Sequence, residues 1–379
     1  MNKVSRITAV LNKDSHPGLM DALRSQGITH IQIEAGRAPV LQEQRGAFAL
    51  FSSGGTTLVN DPVDIISFLV DSDKEDQMIS MIADRCQLHV PGVGSVYSEQ
   101  VDLREVHPLV NKNTAAPLST YDKPENLYSE LIGITCIVQR GQGDAIARVV
   151  LESGACVPTI TFGDGTGVRD KLGLLRITIP AEKEVITMVM SSYDAEAVLE
   201  LAIEAGKLDQ PGKGFIYIFS VKQGIINTRI TRGTSGAAAS MEQIIAALDG
   251  LKGGMEWRRR GETSARGGER TFLRGLVDVT LVVDEGKGAE LVGAAMEVGA
   301  SGATISKAKF VGPALPEGTD ENHVSPAREM ANMIVAQNQV DDIVTALKDA
   351  GAFSEKAHGM VITFPAPRAF TYLPPKPAD

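Results

Sequence analysis

The chain has 379 residues, with 37 Lys and Arg against 47 Asp and Glu, a net charge of −10. That length admits two or three domains, and a hydrophobic fraction of 43% supplies a packed core, which excludes a disordered tail protein. The acidic balance argues against a general binder of nucleic acid or anionic membrane, because both need a basic surface.

From the N-terminus, Met1–Arg6 leads straight into an alternating strand pattern with no signal-type apolar stretch. No apolar run approaches the roughly 18 residues of a membrane span. These features predict a soluble, cytoplasmic protein that does not span a membrane. Residues 1–107 read as a first unit. It holds two similar halves around a long loop at 34–63. Residues 108–128 are polar, with Asn, Pro, Thr and Lys, and read as a linker.

The second unit, 129–233, is the clearest. Leu131–Val138 is apolar and β-branched and predicts a strand. Asp144–Glu152 carries apolar residues at helical spacing and stops at Gly154, a good C-terminal signal. Val157–Phe162 and Glu184–Met190 predict two further strands. Tyr193–Ala205 predicts a helix ending at Gly206, and Phe215–Phe219 a fourth strand. A second linker, 234–273, contains a predicted helix at Met241–Leu251 and the basic run Trp257-Arg-Arg-Arg260. This run reads as a solvated linker. Residues 274–373 form a third unit and 374–379 a tail.

The three units repeat one another. A shift of 145 residues lays Leu131–Phe219 on Leu276–Phe364 without a gap. It matches Gly141 and Gly143 to Gly286 and Gly288, Glu184 to Glu329, and Gly214 to Gly359. The first unit fits at an offset of 127 over Val4–Ile33 and 120 over Asp64–Tyr97, and keeps Pro91-Gly92 and Gly94. Internal repeats outrank other signals in assigning a fold. Each copy reads as strand–helix–strand, then strand–helix–strand. The expectation is an α+β protein of three tandem ferredoxin-like (βαββαβ) repeats, packed as an intramolecular pseudo-trimer.

A unit of this kind, with a long loop after its second strand and a Gly-rich turn before its fourth, resembles the P-II nitrogen-regulatory family of signal-transduction proteins. The segment Gly206-Lys-Leu-Asp-Gln-Pro-Gly212-Lys213-Gly214 looks like that family's B-loop, and Arg229-Ile-Thr-Arg232-Gly233 like its C-loop. The resemblance implies that Gly206, Gly212, Lys213, Gly214, Arg229 and Arg232 bind ATP, ADP or AMP, or another small anion, with no covalent cofactor. Glycines let backbone N–H groups approach phosphate oxygens, and arginines supply forked donors. It also implies that Gly163, Asp164, Gly165, Gly167, Arg169 and Lys171 belong to a mobile regulatory loop. That loop would dock on a protein partner, either a membrane transporter or a metabolic enzyme. The family's lysine after the last B-loop glycine falls instead on Phe215, Ser95 and Met360. Fusion of three copies implies a monomer.

The remaining patterns weigh against catalysis. The six histidines make no H-x₃-H or H-E-x-x-H pattern, so no metal site is expected. Cys86, Cys136 and Cys156 fit no zinc spacing and read as buried hydrophobes in a reducing compartment. Three-repeat cyclic-amide hydrolases want a Ser–Lys pair from each repeat. Here Ser53, Ser235 and Ser301 sit at non-equivalent positions with no recurring lysine. The reading is a regulator and not an enzyme. A scaffold without a ligand is the alternative.

Overall fold

Successive residues of a β-strand face opposite ways, and this alternation organises the whole chain. In a computed structural model, residues 2–13, 15–28, 30–43, 56–110, 121–167, 181–232, 270–312 and 324–373 are described. Strand β1 (Asn2–Asn12) buries Ile7, Ala9 and Leu11 against helices α1 (Leu19–Ser25) and α2 (Glu75–Arg85). It turns Arg6, Thr8 and Val10 to the opposite side. Strand β5 (Leu131–Gln139) packs Ile134, Cys136 and Val138 on α3 (Gly143–Ser153) and α4 (Ala195–Gly206). Strand β11 (Leu273–Asp284) packs Val279, Leu281 and Val283 on α5 (Gly288–Glu297) and α6 (Val340–Asp349). Three separate cores thus form outside the sheet, each under two helices.

The other strands are β2 (Ile31–Glu43), β3 (Thr56–Val70), β4 (Gly94–Val106), β6 (Thr159–Gly167), β7 (Glu182–Ser191) and β8 (Gly214–Val221). They are followed by β9 (Gln223–Ile225), β10 (Thr231–Arg232), β12 (Gly302–Val311), β13 (Ala327–Ala336) and β14 (Met360–Thr371). The order within each third is β2-β3-β1-β4, β6-β7-β5-β8 and β12-β13-β11-β14.

The expected three ferredoxin-like layers packed as a pseudo-trimer are not what forms, and the P-II-type architecture is corrected with them. The sheet runs on from one third to the next through backbone hydrogen bonds: β4 to β14, β14 to β8, β6 to β12, and β12 to β2. Ten strands, β2-β3-β1-β4-β14-β8-β5-β7-β6-β12 and back to β2, close into an antiparallel β-barrel, with four further strands beside it. The physical reason is that an open sheet leaves unpaired N–H and C=O groups along its edges, and closure pairs them. Packing three finished layers face to face would have left those edges bare.

Two local devices hold the thirds together. The segment expected as a loop at 34–63 is largely a long hairpin, with β2 laddered to β3 out to Glu43 opposite Thr56. Its Leu41 and Leu58 rest on Leu151, Val157 and Ile230 of the second third. Glu75, in the first turn of α2, accepts hydrogen bonds from Ser5 and Ser98, and also from Lys222 and Gln223 of the second third. The predicted stop at Gly154 is present as a left-handed cap with φ of 81°. The predicted helix at Met241–Leu251 and the run Trp257–Arg260 lie outside the described residues.

Candidate functional site

Where the second and third thirds meet, residues of β6, β7 and β8 and of β11, β12 and β13 line a cleft of about 570 Å³ beside the β6–β12 ladder. Its walls are apolar: Ile137 and Phe215 on one side, Leu273, Leu276 and Ile334 on the other. Its rim is backbone and small polar groups: Gly165, Thr166, Gly167, Ser301 and Gly302. Lys183 brings a positive charge to the lining, and its stem lies against Gly165, where an added Cβ would come within 2.7 Å of Cε. Glycine at 165 is therefore what lets the lysine lie flat along the strand. At the far end Thr371 Oγ1 donates to the Gly214 carbonyl at 2.8 Å. Gln339 is fixed by donating to the Gly299 carbonyl and accepting from the Ala336 N–H.

The residues singled out by sequence fall in three places. Gly163, Asp164, Gly165 and Gly167 are not in a loop but in strand β6, laddered to Ser306, Ile305, Thr304 and Gly302 of β12. Gly165 and Gly167 line the cleft; Arg169 and Lys171 lie outside the described residues. Gly206 is the buried last residue of α4. Gly212 sits at φ 70° with its carbonyl accepting from Gln139. Lys213 is half-buried beside it. Gly214 opens β8, where a side chain would overlap the Ile137 carbonyl. Arg229 and Arg232 are brought elsewhere. Arg229 lies over Gly92 of the first third, and Arg232 is ion-paired to Asp61 of the β2–β3 hairpin. None of Gly206, Gly212, Lys213, Gly214, Arg229 or Arg232 lines the cleft; Gly214 alone touches its lining, through the hydrogen bond from Thr371.

A second feature is the barrel interior. The sheet face turned away from the three helix-covered cores carries an apolar cluster that includes Leu69, Val101, Phe219, Ile362 and Phe364, together with polar residues at repeat-equivalent positions: Thr8, Thr135 and Thr280; Ser67, Thr187 and Asn332; Gln32, Thr159 and Thr304. Thr280 and Gln32 line a smaller pocket; the other polar residues line a cavity of about 150 Å³. Charge enters it asymmetrically. Arg6 grips Glu99 through two hydrogen bonds of 2.8 and 2.7 Å. Burial works against the charge on Arg6, but Glu99 outweighs it and the guanidinium is held firmly protonated. Asp278 accepts from Tyr217 at 2.8 Å and from Thr280 at 2.9 Å. Burial nonetheless pushes its carboxyl above the usual range, and the Tyr217 phenol is pushed up as well. Glu34 is likewise raised by burial, against the pull of Ser306 and Arg6. The interior thus mixes apolar side chains with hydrogen-bonded polar ones. It shares Ile137, Thr304 and Asn332 with the wall of the cleft.

Other chemistries find less support. The three thiols are buried, and burial raises all three, Cys86 to about 11, so none is a ready nucleophile. Among the described residues no group of three or more His, Cys, Asp or Glu is placed to hold a metal ion, and no helix is long and apolar enough to cross a membrane.

Lys183 and Phe215 were not singled out as ligand-facing by sequence, although Lys183 immediately precedes the repeated Glu184. The inward threonines had a readable signal, since Thr8, Thr135 and Thr280 coincide under the repeat offsets. No family model matches the chain, and no curated protein matches it in sequence.

Proposed function

We propose that the protein is a ligand-responsive regulator. An adenine nucleotide, or another small anion carrying an apolar ring, binds the cleft between the second and third thirds, and its occupancy is read by a protein partner. The observation that carries this reading is the composition of that cleft. Its size of about 570 Å³ falls in the range of small-molecule sites, about 300–1,000 Å³. Ile137, Phe215, Leu276 and Ile334 offer flat apolar walls to a ring. Glycines at 165, 167 and 302 let main-chain groups come close to an anion, and Lys183 supplies the counter-charge. The ligand acts only through its differential affinity for the state that the partner reads.

The test is a thermal-shift titration with ATP, ADP and AMP, each with and without Mg²⁺. At a hundredfold excess over Kd, binding adds about 2.7 kcal/mol. For 379 residues the unfolding entropy is about 0.8 kcal/mol/K, so Tm should rise by about 3 °C. Lys183→Ala, which removes one charge-assisted contact, should cut the rise by about half or more. No shift with any nucleotide at millimolar concentration sinks the adenine-nucleotide reading and leaves a scaffold.

A further inference from the structure

Two residues on from Gln32, Thr159 and Thr304, the inward positions of the three copies are Glu34, Thr161 and Ser306. All three line the barrel cavity of about 150 Å³. Two copies fill the position with a hydroxyl, and the first places a carboxylate there. Among the described residues no cation is ion-paired to Glu34; Ser306 is its hydrogen-bond partner, and Arg6 acts on it at longer range. In the ladders Glu34 is opposite Ile65, and Ile65 is opposite Val10. Arg6, gripped by Glu99, lies four residues along β1 from Val10, about 13 Å of strand. A carboxylate buried without a counter-charge is costly, and burial does push Glu34 up. A threonine or serine at the same place avoids that cost, as the other two copies show.

The surroundings say what could offset it. Ser67 and Ser306 stand diagonally to Glu34 across its β3 and β12 ladders, and Ile65 and Val10 continue its row with apolar surface. Gln32, next on the same face, is 3% exposed, and neither its Oε1 nor its Nε2 has a hydrogen-bond partner. It lines the small pocket that shares Arg6 and Ser67 with the cavity. This side of the interior thus offers one negative charge, unmatched hydrogen-bonding groups and a short apolar wall. Glu34 repels an anion. A bare metal ion would fill little of the volume, since a cavity of this size holds a guest of about six heavy atoms.

We infer that the barrel interior binds a small organic ammonium ion, with its N–H groups on the Glu34 carboxylate and neighbouring hydroxyls and its short carbon chain along Ile65 and Val10. Thr161 and Ser306 carry no charge to hold a second guest, so the chain takes up one. This inference does not rest on the nucleotide reading of the cleft.

The experiment is isothermal titration of the purified full chain with n-butylammonium chloride at constant ionic strength, for the wild type, Glu34→Gln and Glu34→Thr. Potassium, sodium and tetramethylammonium chloride are the comparison salts. The expected result at pH 8 is one saturable site per chain, weakened about tenfold or more in both variants. Tetramethylammonium, which has no N–H to donate, should show no such site. Binding should weaken on acidification, as Glu34 takes up a proton while n-butylammonium keeps its charge. No saturable binding at millimolar concentration, or equal affinity in wild type and variants, overturns the inference and leaves the cleft reading as it stands. Displacement of n-butylammonium by an equal concentration of potassium or sodium overturns it in favour of a metal ion. Glu34→Thr, which carries the second copy's own side chain at this position, keeps the test decisive should Glu34→Gln fail to fold.

Discussion

Replacing Glu75 by Gln tests how the first and second thirds are pinned. The carboxylate is 1% exposed. Its Oε2 accepts from Ser5 Oγ at 2.5 Å and Lys222 Nζ at 2.9 Å. Its Oε1 accepts from Ser98 Oγ at 2.8 Å and Gln223 Nε2 at 2.7 Å. An amide can keep only one oxygen. Whichever way it sits, an NH₂ faces either the Lys222 ammonium or the Gln223 amide, and that donor loses its acceptor. The serine hydroxyls can turn to accept, so the loss is one charge-assisted hydrogen bond with its desolvation, about 2–3 kcal/mol. With an unfolding entropy near 0.8 kcal/mol/K for a chain of 379 residues, Tm should fall by about 3–4 °C at pH 7, read by calorimetry. The pH dependence has a definite sign. Burial alone would raise the Glu75 carboxyl, but its four donors outweigh burial and hold it below the usual range. Its contribution is present above the unfolded value of about 4.3 and fades as pH falls through the lower folded value. The gap between wild type and Glu75→Gln should therefore close on acidification below about pH 4. Equal stability at pH 7, or a gap that widens in acid, would refute the reasoning.

Three other outcomes follow from the same geometry. Glu34 is raised by burial, so its carboxyl favours the fold below the unfolded value and costs stability as pH rises through the folded one; Glu34→Gln should therefore gain on the wild type between pH 4 and pH 8, by urea unfolding, and a constant gap would contradict this. Arg6→Ala strands the buried Glu99 and should cost about 3–5 kcal/mol, whereas Arg6→Met with Glu99→Leu should recover most of it; additive losses in the double-mutant cycle would contradict this. Gly214→Ala pushes a Cβ into the Ile137 carbonyl and should cost about 1–3 kcal/mol, while Gly141→Ala, at φ 88° in open space, should cost only about 1 kcal/mol; equal losses would argue against the close approach.

Local structure was readable where periodicity and punctuation agree. Leu131–Val138 is β5, Asp144–Glu152 falls within α3, and Glu184–Met190 falls within β7. The hairpin across 34–63 was missed because Gly36, Pro39 and Pro62 sit inside its strands and read as breakers. Ring closure was missed for a deeper reason. The seams β4–β14 and β6–β12 are main-chain hydrogen bonds, and any sequence can make those. In β6 the seam runs through Gly163, Gly165 and Gly167, a spacing that reads as a loop until a partner strand is known. The cleft follows closure, since its two walls come from different thirds. It was legible only through Gly165 and Gly167 at its rim, while Lys183 has no local pattern to mark it.

The place of β14 in the ring bears on how the protein is made. It pairs along its length with β11, at its start with β4, and at its end with β8. Met360 meets Val106, a residue about 250 positions earlier. During synthesis at about 5–20 residues per second, the edges of β4 and β8 wait for a partner strand that emerges last. The wait after β8 (Gly214–Val221) is about 8–30 s at that rate. Such edges recruit whatever strand is nearest, including the same strand of a neighbouring nascent chain. A chain ended before Met360 would lack the strand that pairs β4 at Asp102–Val106 and β8 at Phe215–Ile218. Its unpaired edges would be an expected template for swapped dimers.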